Sequence, residues 1–305
     1  MPFSELQVPA SATRGVVTVG NFDGVHRGHR SMLAKVRDIA DRASAPAVVV
    51  SFDPHPINVL KPHVNLPRLS TIAVRTQLLK QFGADEVVIL PVDQQLLGMS
   101  PENFFQDVML DRLQAVGLVE GPDFRFGKDR AGDTGVLRQL CGLHDVTLTV
   151  IDAVCLDDEM ISSTRIRQLI QAGQLDAAIE MLGHSYTLSG KVVHGAGRGR
   201  TIGIPTANLA DIEVLLPAAG VYAGRCCLDG QTFSAAVNIG SNPTFGDDEQ
   251  KVECHVIDYS GDLYGQNMDV ELLAKIRDAQ QFANAEALTN AIKRDIERCR
   301  LSASE

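Results

Sequence analysis

Two histidines three residues apart, His26 and His29, follow a turn that carries Gly20, Asn21, Asp23 and Gly24 in the string VGNFDGVHRGH. They stand where a helical pattern begins, so imidazoles and free backbone amides converge on one point that suits an anion. Nucleotidyl transfer needs such a point, because charge builds on the α-phosphate oxygens in the pentacoordinate transition state and preorganised donors hold it. No side chain has to act as the nucleophile. A second cluster, ISSTRIR at Ile161 to Arg167, puts Ser162, Ser163, Thr164 and Arg165 at another helix start. Hydroxyls and a guanidinium there suit the β- and γ-phosphates that leave as pyrophosphate. Taken singly, each string also reads as ordinary structure: a glycine-rich turn in one case, an N-cap with a solvated basic turn in the other.

A third string, SGKVVHGAGRGRTIGIPTANL from Ser189, holds Gly195, Gly197 and Gly199, with Arg200 beside them. Glycines leave backbone amides free to approach phosphate closely. It is not a P-loop, since no G-x-x-x-x-G-K-[ST] occurs. Thr206 and Asn208 flank Ala207 in PTAN, so in an extended segment their oxygens point to one side and can ligand Mg²⁺. Mg²⁺ bridging ATP oxygens is the usual partner of phosphoryl transfer. Alone, such a loop is also read as flexible surface, and PTAN as a turn.

Positioning these groups takes two scaffolds. Valine-rich runs at Val16, Ala47, Glu86 and Val146 alternate with segments of helical period, which predicts a parallel α/β sheet. After His29, residues Met32, Leu33, Val36, Ile39 and Ala40 share one helix face. SSTRIRQLIQAG reads as a capped helix closed by Gly173 and LDAAIEMLG as another closed by Gly183, where the domain boundary is placed: residues 1–183 and 184–305. Beyond it, the short runs YTLSGKVV, GVYAGRCCL, FSAAVNIG, KVECHVID and MDVELL predict a small antiparallel barrel. From Asn284, Leu288, Ile292 and Ile296 predict one helix packed on that barrel.

Charge excludes some functions. Of the formal net charge of −10, the residues up to Gly183 carry 17 basic and 22 acidic side chains and the rest 11 and 16, so neither part offers a basic face to nucleic acid. Six cysteines form no C-x-x-C or C-x-x-x-C pair, which predicts reduced thiols rather than a zinc site or disulfide framework. With no basic-then-apolar N-terminus and no run of about 18 apolar residues, no membrane association is expected and the chain is expected to be cytoplasmic.

His26-Arg27-Gly28-His29 together with SSTRIR resembles the HIGH-motif nucleotidyltransferases, in which H-x-G-H and a late signature flank one ATP. From H-x-G-H alone, pantetheine phosphate or nicotinamide mononucleotide remain open as substrates. SFDPHP at Ser51 and GPDFRFGKDRAGD at Gly121 are similar to the FMN adenylyltransferase half of bacterial FAD synthetases. The glycine string, GVYAG at Gly220, NIGSNPTFG at Asn238 and KVECHVIDYSGDLYG at Lys251 resemble riboflavin kinases, so the resemblance covers nearly the whole chain. Glu120 and Pro122 are less apolar than the family's segment before Asp123.

The resemblance implies a Rossmann-like parallel-sheet nucleotidyltransferase domain, then an antiparallel β-barrel riboflavin kinase domain with a C-terminal helix. Its substrates are riboflavin, FMN and ATP, and its final product is FAD. Pro54, Pro56, Asp123 and Phe124 become flavin candidates, with Phe124 and Phe126 read alternatively as core residues. Glu253 of the E-x-H segment becomes the base that accepts the proton of the riboflavin 5′-hydroxyl. Arg277 is left between a flavin or phosphate contact and a helix-end salt bridge. Two rivals stand beside the bifunctional enzyme: a single-activity enzyme with one regulatory domain, and a non-catalytic flavin or nucleotide sensor.

Overall fold

The computed structural model describes residues 2–195, 197, 199, 203–242 and 247–302, leaving out the side chains of residues 241, 242, 247–249 and 285. The chain forms two compact units. The first comprises the residues up to Leu66 together with Ile72–Ser162, and the second comprises Pro67–Thr71 together with the chain from Ser163 onward.

In the first unit the elements run β1 (Val16–Val19), α1 (Arg27–Ala43), β2 (Ala47–Asp53), α2 (Pro56–Leu60), α3 (Ile72–Gln81), β3 (Glu86–Pro91), α4 (Gln94–Leu97), α5 (Pro101–Phe104), β4 (Gly117–Glu120), α6 (Thr134–Leu143) and β5 (Thr147–Val150), closed by the hairpin β6 (Cys155–Leu156) and β7 (Glu159–Met160). The five main strands form one parallel sheet in the order β3-β2-β1-β4-β5, as the alternating pattern predicts. Every residue of β1 and β4 is buried, which is why the first reads as an unbroken valine run. The run GLVE of β4 lacks that signature because it ends in Glu120. On α1, Leu33, Val36 and Ala40 are the buried face, with Met32 and Ile39 half-buried at its edges. The helix begins at Arg27, before His29, because His26 caps it.

The second unit opens with α7 (Ser163–Gln171) and α8 (Leu175–Leu182). Gly173 and Gly183 both take φ above +70°, the left-handed conformation that ends a helix at little cost only in glycine. Sequence reading groups these two helices with the sheet; in the structure they group with the barrel. Their buried residues Ile166, Ile170, Leu175 and Leu182 belong to a helix pair that packs on the second unit, where Ala218 N–H donates to Ile170 O at 3.3 Å. Arg167 Nε likewise donates to Pro67 O of the same unit at 2.8 Å.

The barrel follows: β8 (Tyr186–Val193), β9 (Ala207–Ala210), β10 (Gly220–Leu228), β11 (Gln231–Asn242), β12 (Asp247–Val256) and β13 (Asn267–Asp278), then helix α9 (Ala285–Ser302). It closes in the order β10-β11-β12-β9-β8-β13, with every pair antiparallel. The face that α9 buries differs from the expected one. Ala291, Asp295 and Cys299 are buried, Ile292 and Ile296 are half-buried, and Leu288 is exposed. An apolar count misses this because the anchor is ionic: Arg277 of β13 donates to the Asp295 carboxylate through Nε at 3.0 Å and Nη2 at 2.8 Å. Arg277 is thus engaged by the C-terminal helix.

Candidate functional site

In the first unit the strand order reverses at β1, between β2 and β4, and open parallel sheets bind ligands at the carboxyl ends of strands beside such a switch point. A cleft lies there, lined by Gly20, His26, His29, Asp123, Phe124 and Ile161 among others. The turn between β1 and α1 is unusual: Phe22 and Val25 hold φ of +48° and +40°, a region that side chains, β-branched ones above all, adopt rarely. Their side chains, 1% and 0% exposed, are sunk into the core and hold the backbone there.

Electrostatics clamp the same turn. Asp23 pairs with Arg75 of α3 at 3.0 Å, both side chains almost wholly buried. Arg75 also donates to Ser51 Oγ at 3.2 Å, and Ser51 Oγ donates to Asn21 O at 3.0 Å. Asp23, grouped by sequence with the phosphate binders, is held by Arg75. Sequence reasoning missed Arg75, because its burial on α3 beside Leu79 shows only once the helix has packed.

His26 caps α1, its Nδ1 accepting from His29 N–H at 3.3 Å. With Nδ1 an acceptor, the proton of the neutral ring sits on Nε2. The two imidazoles stack, 3.6 Å between centroids and 15° between planes. Burial holds His29 well below the ordinary histidine range, helped by the neighbouring His26 and then by Arg75. At neutral pH His29 is uncharged and offers an N–H dipole. His29 Nδ1 and Asn21 Oδ1 are both buried with no hydrogen-bond partner among the described residues. Unsatisfied polar atoms in a cleft wall are costly unless a polar ligand comes to them.

Of the flavin candidates, Asp123 and Phe124 line the cleft. Phe126 stacks on Phe124 at 5.4 Å but is buried in the core. Pro54 and Pro56 lie at the start of α2 and are not among the cleft residues. Ser162 ends the first unit, whereas Ser163, Thr164 and Arg165 open α7 in the second.

On the barrel, Val252, Cys254 and Val256 are buried, which turns Glu253 and His255 of β12 to the outer face. Glu253 stands directly opposite Asn208 of β9 on one side and Asn238 of β11 on the other. Directly opposed residues of antiparallel strands share a face with their Cβ atoms about 4.5–5.5 Å apart. Asn238 lies within the quoted string NIGSNPTFG, and only the register singles it out. The glycine loop reaches the same patch: a Cβ on Gly195 would collide with the Asn208 amide, and one on Gly199 would lie 3.5 Å from Thr206 Oγ1. Gly197 has φ +69° with open space around it. Arg200 lies outside the described residues.

All six cysteines are free. Among the described residues, no helix is long and apolar enough to cross a membrane.

Two family models match in tandem, FAD synthetase over residues 8–165 and riboflavin kinase over residues 182–303. Bifunctional riboflavin kinase/FMN adenylyltransferases from Pseudomonas fluorescens and Escherichia coli K12 are each 36% identical, over 95% and 92% of this chain and 93% and 90% of theirs. A crystal structure of a Streptococcus pneumoniae protein described as a macrolide-efflux protein superposes with a TM-score of 0.87 at 31% identity, covering 98% of this chain and 97% of that one. The tandem match, carried by the same order of motifs on a parallel sheet and then a closed barrel, shows that the chain belongs to the bifunctional riboflavin kinase/FMN adenylyltransferase family.

Proposed function

We infer that this chain phosphorylates riboflavin to FMN with one ATP and joins FMN to AMP from a second ATP, giving FAD and pyrophosphate. The observation that carries this is that each unit gathers one motif set in one place: His26, His29, Asp123 and Phe124 around the cleft, and Gly195, Thr206, Asn208 and Glu253 on one patch of the barrel. Phosphorylation is assigned to the barrel patch. Glu253 takes the proton of the 5′-hydroxyl as its oxygen attacks the γ-phosphorus, and ADP leaves. Adenylyl transfer is assigned to the cleft. A phosphate oxygen of FMN attacks the α-phosphorus and pyrophosphate leaves, while donors from the turn, His26 Nε2–H and the His29 imidazole meet the charge on the α-phosphate oxygens. Phe124 offers a ring face to the flavin, and Pro54 and Pro56 stay assigned to it by resemblance. Ser162, Ser163, Thr164 and Arg165 are assigned to the leaving pyrophosphate on their chemistry alone.

Thr206 and Asn208 are the residues that would hold Mg²⁺. Both supply hard oxygen donors, and glycine at 195 and 199 lets the loop backbone close directly against the Asn208 amide and near Thr206 Oγ1, which brings its amides to the same patch. When bound there, the ion neutralises ATP phosphate charge. Thr206→Ala or Asn208→Ala is expected to raise the Mg²⁺ requirement of FMN production about tenfold or more. FAD formation from supplied FMN keeps its requirement; an effect confined to that second reaction would place PTAN at the wrong site. On its six unpaired thiols the protein is read as cytoplasmic.

Purified protein incubated with riboflavin, ATP and Mg²⁺, with the flavins resolved by chromatography, is expected to yield FMN and then FAD. FMN alone would make the first unit a regulator. Unchanged riboflavin, with FAD made from supplied FMN, would do the same for the barrel.

A further inference from the structure

The cleft wall contains an ionisable group that the chemistry assigned so far does not use. Glu120, at the end of β4, is 1% exposed and lines the cleft. Its Oε1 accepts from Val19 N–H at 2.9 Å. The registered pairing of β1 with β4 runs Val16↔Gly117 and Val17↔Leu118 and stops there, so the side chain satisfies the amide at the end of β1. The next residue, Gly20, begins the turn that carries the histidines.

Little around Glu120 favours a negative charge. His26 and His29 face the cleft from the start of α1, Asp123 from the turn after β4, and Asp152 from the segment after β5. On the α6 side stands Cys141, whose thiol is pushed up to about 11 by burial and then by Glu120. Among the described residues none of these groups pairs with the carboxyl, and the Val19 amide is its one hydrogen-bond donor. Burial holds Glu120 well above the ordinary carboxylate range, opposed only by that amide.

We propose that Glu120 is a positioning residue for adenylyl transfer that serves as the neutral acid, fastening the end of β1 while keeping the buried part of the wall at the end of β4 uncharged toward the triphosphate. Either protonation state accepts from Val19 N–H. Only the neutral one avoids placing an unpaired negative charge in the low-dielectric wall of a site for a polyanion, where like charges repel far more strongly than in water. This rests on the assignment of adenylyl transfer to the cleft.

The test is Glu120→Gln in the full chain, which keeps the acceptor oxygen for Val19 N–H but cannot ionise. KM for ATP in FAD formation from FMN, followed from about pH 6.5 to about pH 9.5, is expected to rise on the order of tenfold more in the unaltered chain than in the variant. KM for ATP in riboflavin phosphorylation, measured in the same samples, should show no such difference. A purely structural glutamate would not separate the two curves.

The stability of the two chains carries the sign. A folded-state value raised above the ordinary 4.5 stabilises fully below that pH, and this contribution is lost as pH rises toward the folded value. The urea midpoint of the unaltered chain is therefore expected to fall relative to Glu120→Gln as pH increases from about 4.5. Infrared spectra of the unaltered chain, which need no variant to fold, are expected to show a neutral carboxylic acid band at pH 7 that disappears in alkali. Parallel KM curves in an active chain, or absence of that band, overturn this inference alone. A folded chain that converts no FMN to FAD overturns the cleft assignment with it.

Discussion

Glu253→Gln is expected to lower the rate of riboflavin phosphorylation by about 100- to 10,000-fold, the usual worth of a general base. Glutamine keeps the size and one acceptor oxygen but takes no proton at neutral pH. The position tolerates the change because Glu253 stands on the outer face of β12, between the buried Val252 and Cys254, so no core contact is lost. Flavin binding, followed by the quenching of flavin fluorescence, is expected to survive. FAD formation from supplied FMN is expected to continue, because the histidine cleft lies in the other unit. A variant that still makes FMN at the original rate would mean that another group takes the proton. Loss of both activities together would mean that the substitution damages the fold.

His29→Ala is expected to lower FAD formation from FMN by about 100- to 1,000-fold and to leave FMN production intact, since one preorganised donor to a developing oxyanion is worth that much. His29 is the cleaner choice of the two histidines. His26 accepts from the His29 amide as the N-cap of α1, so its removal adds a stability cost of about 1 kcal/mol that would blur the kinetic one. The depressed pKa of His29 has a further consequence. Its unfolded form gains a proton near the ordinary 6.5 while the folded form resists it, so this residue favours folding less as pH falls through that value. His29→Ala should therefore lose less stability between pH 7 and pH 5.5 than the unaltered chain, as thermal melts at the two pH values would register. A milder kinetic loss with that same smaller loss of stability would identify a structural histidine.

Much of the fold was legible because its signals are local. The runs at Val16, Ala47 and Glu86 are strands of the parallel sheet, and the glycines at 173 and 183 end helices with positive φ. Where a polar residue does the work of an apolar one, local reading failed. The strand β4 ends in a buried glutamate, α3 turns an arginine inward, and α9 is seated by Asp295 rather than by Leu288. A pattern of apolar residues carries no trace of such a group, since its burial depends on a partner distant in sequence: Val19 for Glu120, Asp23 for Arg75, Arg277 for Asp295.

By itself the sequence determined the two scaffolds, the order of the motifs and the types of group available for phosphate and flavin chemistry. These follow from periodicity, from glycine's conformational range and from side-chain chemistry, all of which act within a few residues. Tertiary structure alone decided which of those groups meet. Strand register set Glu253 opposite Asn208 and brought in Asn238, and the strand order opened the cleft at the end of β1. It also paired Asp23 with Arg75, and it grouped α7 and α8 with the barrel. The physical reason is the same in each case: burial, pairing and register are relations between segments far apart in the chain, and they exist only once those segments have packed.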